Sequence, residues 1–263
     1  MNLKKEFYSL ISAIQYFTRI PISKNHHFDF NYNSIVYLPL VGFFIGLLSI
    51  VFFYLCFFIT KEVEIAIIFM MIFYSILTGA LHEDGFSDFF DGFGGGYNKD
   101  QILKIMKDPQ IGSFAAISLI YLILLKFYLL KHIFVNVQTY YVIFILVQVF
   151  SRWVLLFFIK FLPYARSDGK SKPFEQISSR RFWIFQIIYI NLLIIYIIFY
   201  DKNLFYFLTL FFLVLFFVFL YFKNLLIKKI EGYTGDTLGA IQQISEILLY
   251  LLVVLFYKYQ LFF

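Results

Sequence analysis

Ile65-Ala66-Ile67-Ile68-Phe69-Met70-Met71-Ile72-Phe73-Tyr74-Ser75-Ile76-Leu77-Thr78-Gly79-Ala80-Leu81 carries no charge, then passes through His82 into Glu83-Asp84-Gly85-Phe86-Ser87-Asp88-Phe89-Phe90-Asp91. A run of about 18 apolar residues is the length of a membrane-crossing helix. Of the sixteen acidic residues in the chain, four fall within the nine positions that follow it. Carboxylates crowded at the end of an apolar span repel one another and call for a cation.

Outward from this stretch the composition agrees. The chain is 62% hydrophobic, 24% aromatic and only 14% charged, where a soluble domain carries about 25% charged residues. The expected fold class is all-α and integral to a membrane. It is a polytopic bundle of about seven transmembrane helices, forming one domain over 1–263. Spans are expected near 36–59, 65–82, 111–130, 139–161, 182–200, 204–222 and 237–257. Ahead of them Leu3, Phe7, Leu10, Ile11, Ile14 and Phe17 recur at helical spacing, which predicts an N-terminal interfacial amphipathic helix. No cleavable signal peptide is expected, because no small-residue cleavage site follows that helix. Cys56, the single cysteine, excludes an intrachain disulfide.

The basic residues set an orientation. Sixteen lie in alternate segments, among them Lys4, Arg19, Lys24, Lys107, Arg166, Lys170 and Lys229, while the opposite side has Lys61, Lys131, Lys202 and Lys258. This positive-inside asymmetry predicts a cytoplasmic N-terminus and an external C-terminus. It also explains the net charge of +6 without nucleic acid as a partner; the expected partner is the lipid bilayer. The polar, glycine-rich loops 83–110, 162–181 and 223–236 then all face the cytoplasm.

Asp84, Asp88 and Asp91 are spaced i, i+4 and i+7, so a helix places them on one face. Three carboxylates on one stripe, flanked by Phe86, Phe89, Phe90 and Phe93, suit a hard divalent cation such as Mg²⁺ or Mn²⁺. Glu83 lies off the stripe and is expected to be dispensable. Gly92-Phe93-Gly94-Gly95-Gly96 follows, and glycines there are expected to let backbone N–H groups cradle a phosphate. Asp108 or Ser113 is expected to cap the third span. Of the basic loop after span four, Arg166 is the residue expected to meet phosphate oxygens. Asp236, Gly239, Gln243 and Glu246 share a face of the last span. Glu246, deep in that span, is expected either to be functional or to bond Gln148 or Arg152.

Five blocks in order resemble the cobalamin synthase family. They are Phe17-Thr18-Arg19-Ile20-Pro21; Leu38-Pro39-Leu40-Val41-Gly42; His82, Asp84, Gly85, Asp88, Asp91 and Gly92; Asp108-Pro109 with Ile111-Gly112; and Pro163-Tyr164-Ala165-Arg166 with Gly232-Tyr233-Thr234-Gly235-Asp236. The resemblance implies an adenosylcobinamide-GDP ribazoletransferase of a cell inner membrane. Such an enzyme joins α-ribazole or its 5′-phosphate to adenosylcobinamide-GDP and releases GMP, with Mg²⁺ as cofactor. It implies Asp84, Asp88, Asp91 and Asp236 as metal ligands, with Asp84, Asp88 and Asp236 catalytic. Lys107, Arg166, Gly94, Gly95 and Gln243 would bind substrate. A homo-oligomer, or association with other cobalamin-assembly enzymes, is left open. Two other readings compete. A CDP-alcohol phosphotransferase would need Ala-Arg after Asp-Gly-x₂, where this chain has Asp88-Phe89. A cation transporter would spread its polar groups across the bilayer.

Overall fold

A computed structural model describes residues 3–22, 32–169, 171–199 and 204–258. Lys24, Lys170 and Lys202, used above for orientation, lie outside them. The elements are α1 (Leu3–Phe17), α2 (Leu38–Thr60), α3 (Val63–Thr78), α4 (Leu81–Gly95), α5 (Lys99–Ile105), α6 (Ser113–Asn136), α7 (Tyr140–Phe161), α8 (Ser179–Phe199), α9 (Leu204–Ile230) and α10 (Gly235–Lys258). Short 3₁₀ turns at Tyr32–Tyr37 and Lys172–Gln176 lead into α2 and α8. Helices α7 and α10 form the centre: α7 packs on α2, α9 and α10, while α10 packs on α4, α6, α7 and α9.

The class is as expected, but the count of seven spans is not reached. Among the described residues five helices are long and apolar enough to cross a membrane, or six if α3 and α4 are one broken span. Two of the expected spans are not among the five: α8, and α3, which at 16 residues is about 24 Å long, short of a hydrocarbon core of ~30 Å. The span expected at 182–200 coincides with α8, which is described as far as Phe199.

The chain turns by 87° between α3 and α4. Gly79 (φ 65°) and Ala80 (φ 55°) are both left-handed there, and Ala80 N–H closes the end of α3 on Ser75 O at 2.8 Å. A non-glycine residue in that region costs roughly 1–2 kcal/mol. Arg19 fixes the corner from outside. Its N–H donates to Leu77 O at 2.7 Å, and its side chain lies where a Cβ on Gly79 would have to go.

α1 is held to the bundle by Glu6, which accepts from Arg181 Nη1 (2.8 Å), Arg181 Nη2 (2.6 Å) and Tyr37 Oη (2.7 Å). Ala13 and Phe17 face the core while Phe7 and Tyr8 remain exposed. The helix thus packs on the bundle along one face and leaves apolar side chains exposed on the other.

Inside the bundle Glu246 meets the partners expected of it and more. Its Oε1 accepts from Gln148 Nε2 (2.9 Å) and lies 3.3 Å from Lys126 Nζ; its Oε2 accepts from Gln242 Nε2 (2.9 Å). Arg152 Nη1 donates to Gln148 Oε1 (2.7 Å), and Arg152 Nη2 to Tyr74 Oη (2.8 Å). Pairing of opposite charges with added hydrogen bonds is what makes a buried ion set tolerable in an apolar bundle, although Arg152 Nε and Gln242 Oε1 are left without a partner among the described residues.

Candidate active site

The site lies where α4 crosses α10. Gly85 lets the two backbones touch: a Cβ there would stand 2.8 Å from Asp236 O and 2.9 Å from Asp236 Cα. On the other side of the crossing, Gly239 lies against His82 and Gly85. Small residues at a helix crossing permit this approach. It brings the face of α4 bearing Asp84 and Asp88 against the first turn of α10.

That turn is held by a reciprocal cap. Thr237 N–H donates to Thr234 Oγ1 (3.2 Å), and Thr234 N–H to Thr237 Oγ1 (2.9 Å), the logic of a capping box written with two threonines. Asp236 is thereby fixed in the first turn. The segment before it pairs with the loop after α7. Ala165 N–H donates to Tyr233 O (2.8 Å), and Tyr233 N–H to Pro163 O (2.9 Å). This short bridge delivers Arg166, whose Nη2 lies 2.8 Å from Asp236 Oδ2 in a mostly buried ion pair.

The electrostatics centre on Asp88. Its carboxyl is pushed up to about 7, first by burial and then by the charges of Asp236 and Asp84; Arg166 offsets part of this and Asp91 adds to it. Asp84 is exposed and Asp88 half-buried. Neither carboxylate has a hydrogen-bond or ion-pair partner among the described residues.

Asp91 has a different task from the one its spacing suggests. Its Oδ2 accepts from Gly112 N–H (2.6 Å) and its Oδ1 from Ala115 N–H (2.9 Å). It caps α6 from across the bundle, in place of Asp108 or Ser113. Asp108 instead closes a local turn on Gln110 N–H at 3.0 Å. With both oxygens engaged, Asp91 orients α6 against α4. Asp91→Ala is expected to lower stability by about 1–2 kcal/mol, with Asp91→Asn losing less; thermal unfolding of the purified variants measures it.

Two further expectations are corrected. Gly94 and Gly95 lie in the last turn of α4, without positive φ, so they form no phosphate cradle. The helix continues because Gly96 N–H still bonds Gly92 O at 2.9 Å. Gln243 is fully buried and its Oε1 accepts from Lys126 Nζ at 2.6 Å, which places it in the Glu246 network and not on the Asp236 surface. Lys107 is exposed and stands 3.8 Å from Asp168, at the rim near Arg166. Lys126 was legible only as a charge interrupting a span, and the Thr234–Thr237 cap as a Thr-x-x-Thr before an apolar run.

The family model described as cobalamin-5-phosphate synthase matches residues 9–254. The chain belongs to that family. An adenosylcobinamide-GDP ribazoletransferase of Leptospira biflexa is 33% identical over 89% of this chain and 90% of its own. One from Shewanella amazonensis is 32% identical over 98% of each chain, and one from Leptospira interrogans is 36% identical over 95% of this chain and 96% of its own. No solved structure matches. The family match spans every element that builds the α4–α10 crossing.

Proposed function

We propose that the chain transfers α-ribazole, or its 5′-phosphate, to adenosylcobinamide-GDP with release of GMP, at the cytoplasmic face of a cell inner membrane. The observation that carries this reading is the crossing itself, which sets two unpartnered carboxylates beside an Asp236–Arg166 ion pair in a chain of this family. The basic segments on the same side support a cytoplasmic N-terminus and an external C-terminus.

A divalent cation, Mg²⁺ in this reading, fits the donor chemistry. Asp88 retains a proton up to about 7 among neighbouring carboxylates, as expected of a site short of positive charge. As they stand, no three such groups among the described residues are arranged to hold a metal; Asp84, Asp88 and Asp236 are the residues that would hold it. When bound, the ion would neutralise charge on the pyrophosphate oxygens. Arg166 meets the same oxygens with its planar donor fork. Asp236, held in place by the Thr234–Thr237 cap, takes the proton of the attacking ribazole hydroxyl. The new O–P bond forms as the bond to GMP breaks, and Lys107 at the rim steadies the departing phosphate.

The test is GMP release from adenosylcobinamide-GDP by purified protein, with and without α-ribazole. Release only when both substrates are present supports the transferase; release independent of α-ribazole overturns it.

The carboxyl of Asp88 also sets a pH dependence. In the metal-free protein its value of about 7 exceeds the ordinary 3.8, so the folded form holds a proton that the unfolded chain has lost. This contribution to stability is present below the ordinary value and is lost as pH rises towards 7. A cation that replaces the proton therefore stabilises more at pH 8 than at pH 6. Melting temperatures with and without Mg²⁺ at both pH values check this; equal shifts would contradict it.

A further inference from the structure

A cavity of about 280 Å³ opens between α3, α4, α6 and α10, beginning one residue from Asp84, at Glu83. We propose that it receives the aromatic base of the acceptor nucleoside, with Lys126 Nζ donating to a ring nitrogen and Glu83 accepting from a ribose hydroxyl. The inference rests on the transfer reaction proposed above and extends it to a substrate subsite inside the bundle.

Size decides first. Pockets for small organic ligands run from about 300 to 1,000 Å³, so this one takes a single ring system with part of a sugar. A corrinoid with its nucleotide is far too large. The walls decide next. Met70, Met71, Leu119, Leu122, Ile123 and Phe144 make them mostly apolar, and methionine side chains adapt well to a flat aromatic face.

The polar groups narrow the class further. An ammonium has three donors. Lys126 Nζ directs one to Gln243 Oε1 (2.6 Å) and faces Glu246 Oε1 at 3.3 Å; among the described residues the third N–H has no oxygen or nitrogen acceptor, and Nζ stands 5.5 Å from the centre of the Tyr74 ring in the same wall. Glu83 Oε2 is buried without a hydrogen-bond partner. One spare donor and one spare acceptor in an apolar chamber match a neutral heteroaromatic ring carried on a hydroxylated sugar. An acyl chain offers neither partner. A free phosphate would meet two carboxylates, Glu83 and Glu246, in the wall.

Position completes the argument. Glu83 and Asp84 are consecutive on α4 and about 100° apart round it, so a nucleoside with its base in the cavity and its sugar at Glu83 would reach the Asp84–Asp88–Asp236 surface by extending its hydroxyl round the helix, past the exposed Asp84. Glu83, off the carboxylate stripe, then belongs to the nucleoside and not to the metal.

Thiol protection tests this without crowding the fold. In a Cys56→Ser background, Ser75→Cys puts one small reactive group in the cavity wall. Saturating α-ribazole is expected to slow its reaction with a neutral maleimide by about tenfold or more, and adenosylcobinamide-GDP alone is expected to have no effect. In steady-state assays Leu122→Trp, which fills the chamber, is expected to raise KM for α-ribazole by about tenfold or more. KM for adenosylcobinamide-GDP should not change, and Glu83→Gln should act in the same direction. Absence of protection overturns the proposal, as does protection by adenosylcobinamide-GDP or by added phospholipid alone. If the parent protein transfers yet Ser75→Cys is unprotected, only the cavity assignment falls. If it does not transfer, the reaction falls, and protection by α-ribazole alone decides whether the cavity is a nucleoside receptor.

Discussion

Asp88→Asn protein is expected to insert and bind the nucleoside, and to transfer it at most about a thousandth as fast as the parent. The substitution is isosteric and removes one charge. Asp88 bonds to nothing else among the described residues, so no structural contact is lost with it. What disappears is the carboxylate most affected by its neighbours, held up to about 7 by burial, Asp236 and Asp84. An amide cannot offset a dication, and loss of charge stabilisation at a phosphoryl-transfer centre is expensive. The same change should leave the metal-free protein as stable as the parent or more so, because a crowded charge has been removed. Single-turnover GMP release and metal-free melting, measured together, separate the two effects. Activity within about tenfold of the parent would remove Asp88 from the catalytic centre.

Gly85→Ala has the second large effect, although it removes no functional group. Its new methyl would lie 2.8 Å and 2.9 Å from backbone atoms of Asp236, and backbone cannot swing aside as a side chain can. α4 and α10 must part. Forced overpacking typically costs about 1–3 kcal/mol, and a misplacement of about 1 Å can cost a hundredfold in rate. We therefore expect a fall of about a hundredfold in kcat together with a lower melting temperature. At Gly95 an added Cβ meets only Ile105 Cδ1 at 3.5 Å, and the same substitution should be tolerated. Equal behaviour of the two variants would mean that the crossing does not position the site.

Much of this was legible in the residues. The apolar spans and the carboxylate stripe of α4 follow from spacing and composition, and the alternation of basic loops puts the Arg166 and Asp236 segments on one side; their pairing is visible only in the structure. What spacing could not reveal was competition for the same side chains. Asp91 sits on the stripe at i+7, yet two orphan N–H groups of α6 claim both of its oxygens. Gln243 shares a helical face with Asp236, but it lies two turns deeper, where Lys126 needs an acceptor. Gly94 and Gly95 can adopt positive φ, and the helix hydrogen bonds held them in α instead. The short α3 was hidden for another reason: hydropathy does not register the left-handed pair Gly79 and Ala80 that ends the helix early.

The contact between Gly85 and Asp236 joins two parts of the chain made far apart in time. Asp84 and Asp88 leave the ribosome long before residue 236, and Arg166, made in between, meets the carboxylate of Asp236 only when α10 arrives. α10 also brings Glu246, whose carboxylate lies beside buried Lys126 and accepts from Gln148, the residue that Arg152 bonds. α10 thus supplies both the carboxylate beside the buried Lys126 and the carboxylate that pairs with Arg166. Until α10 joins the earlier helices, Lys126 and Arg166 lack the carboxylates with which they pair in the folded protein.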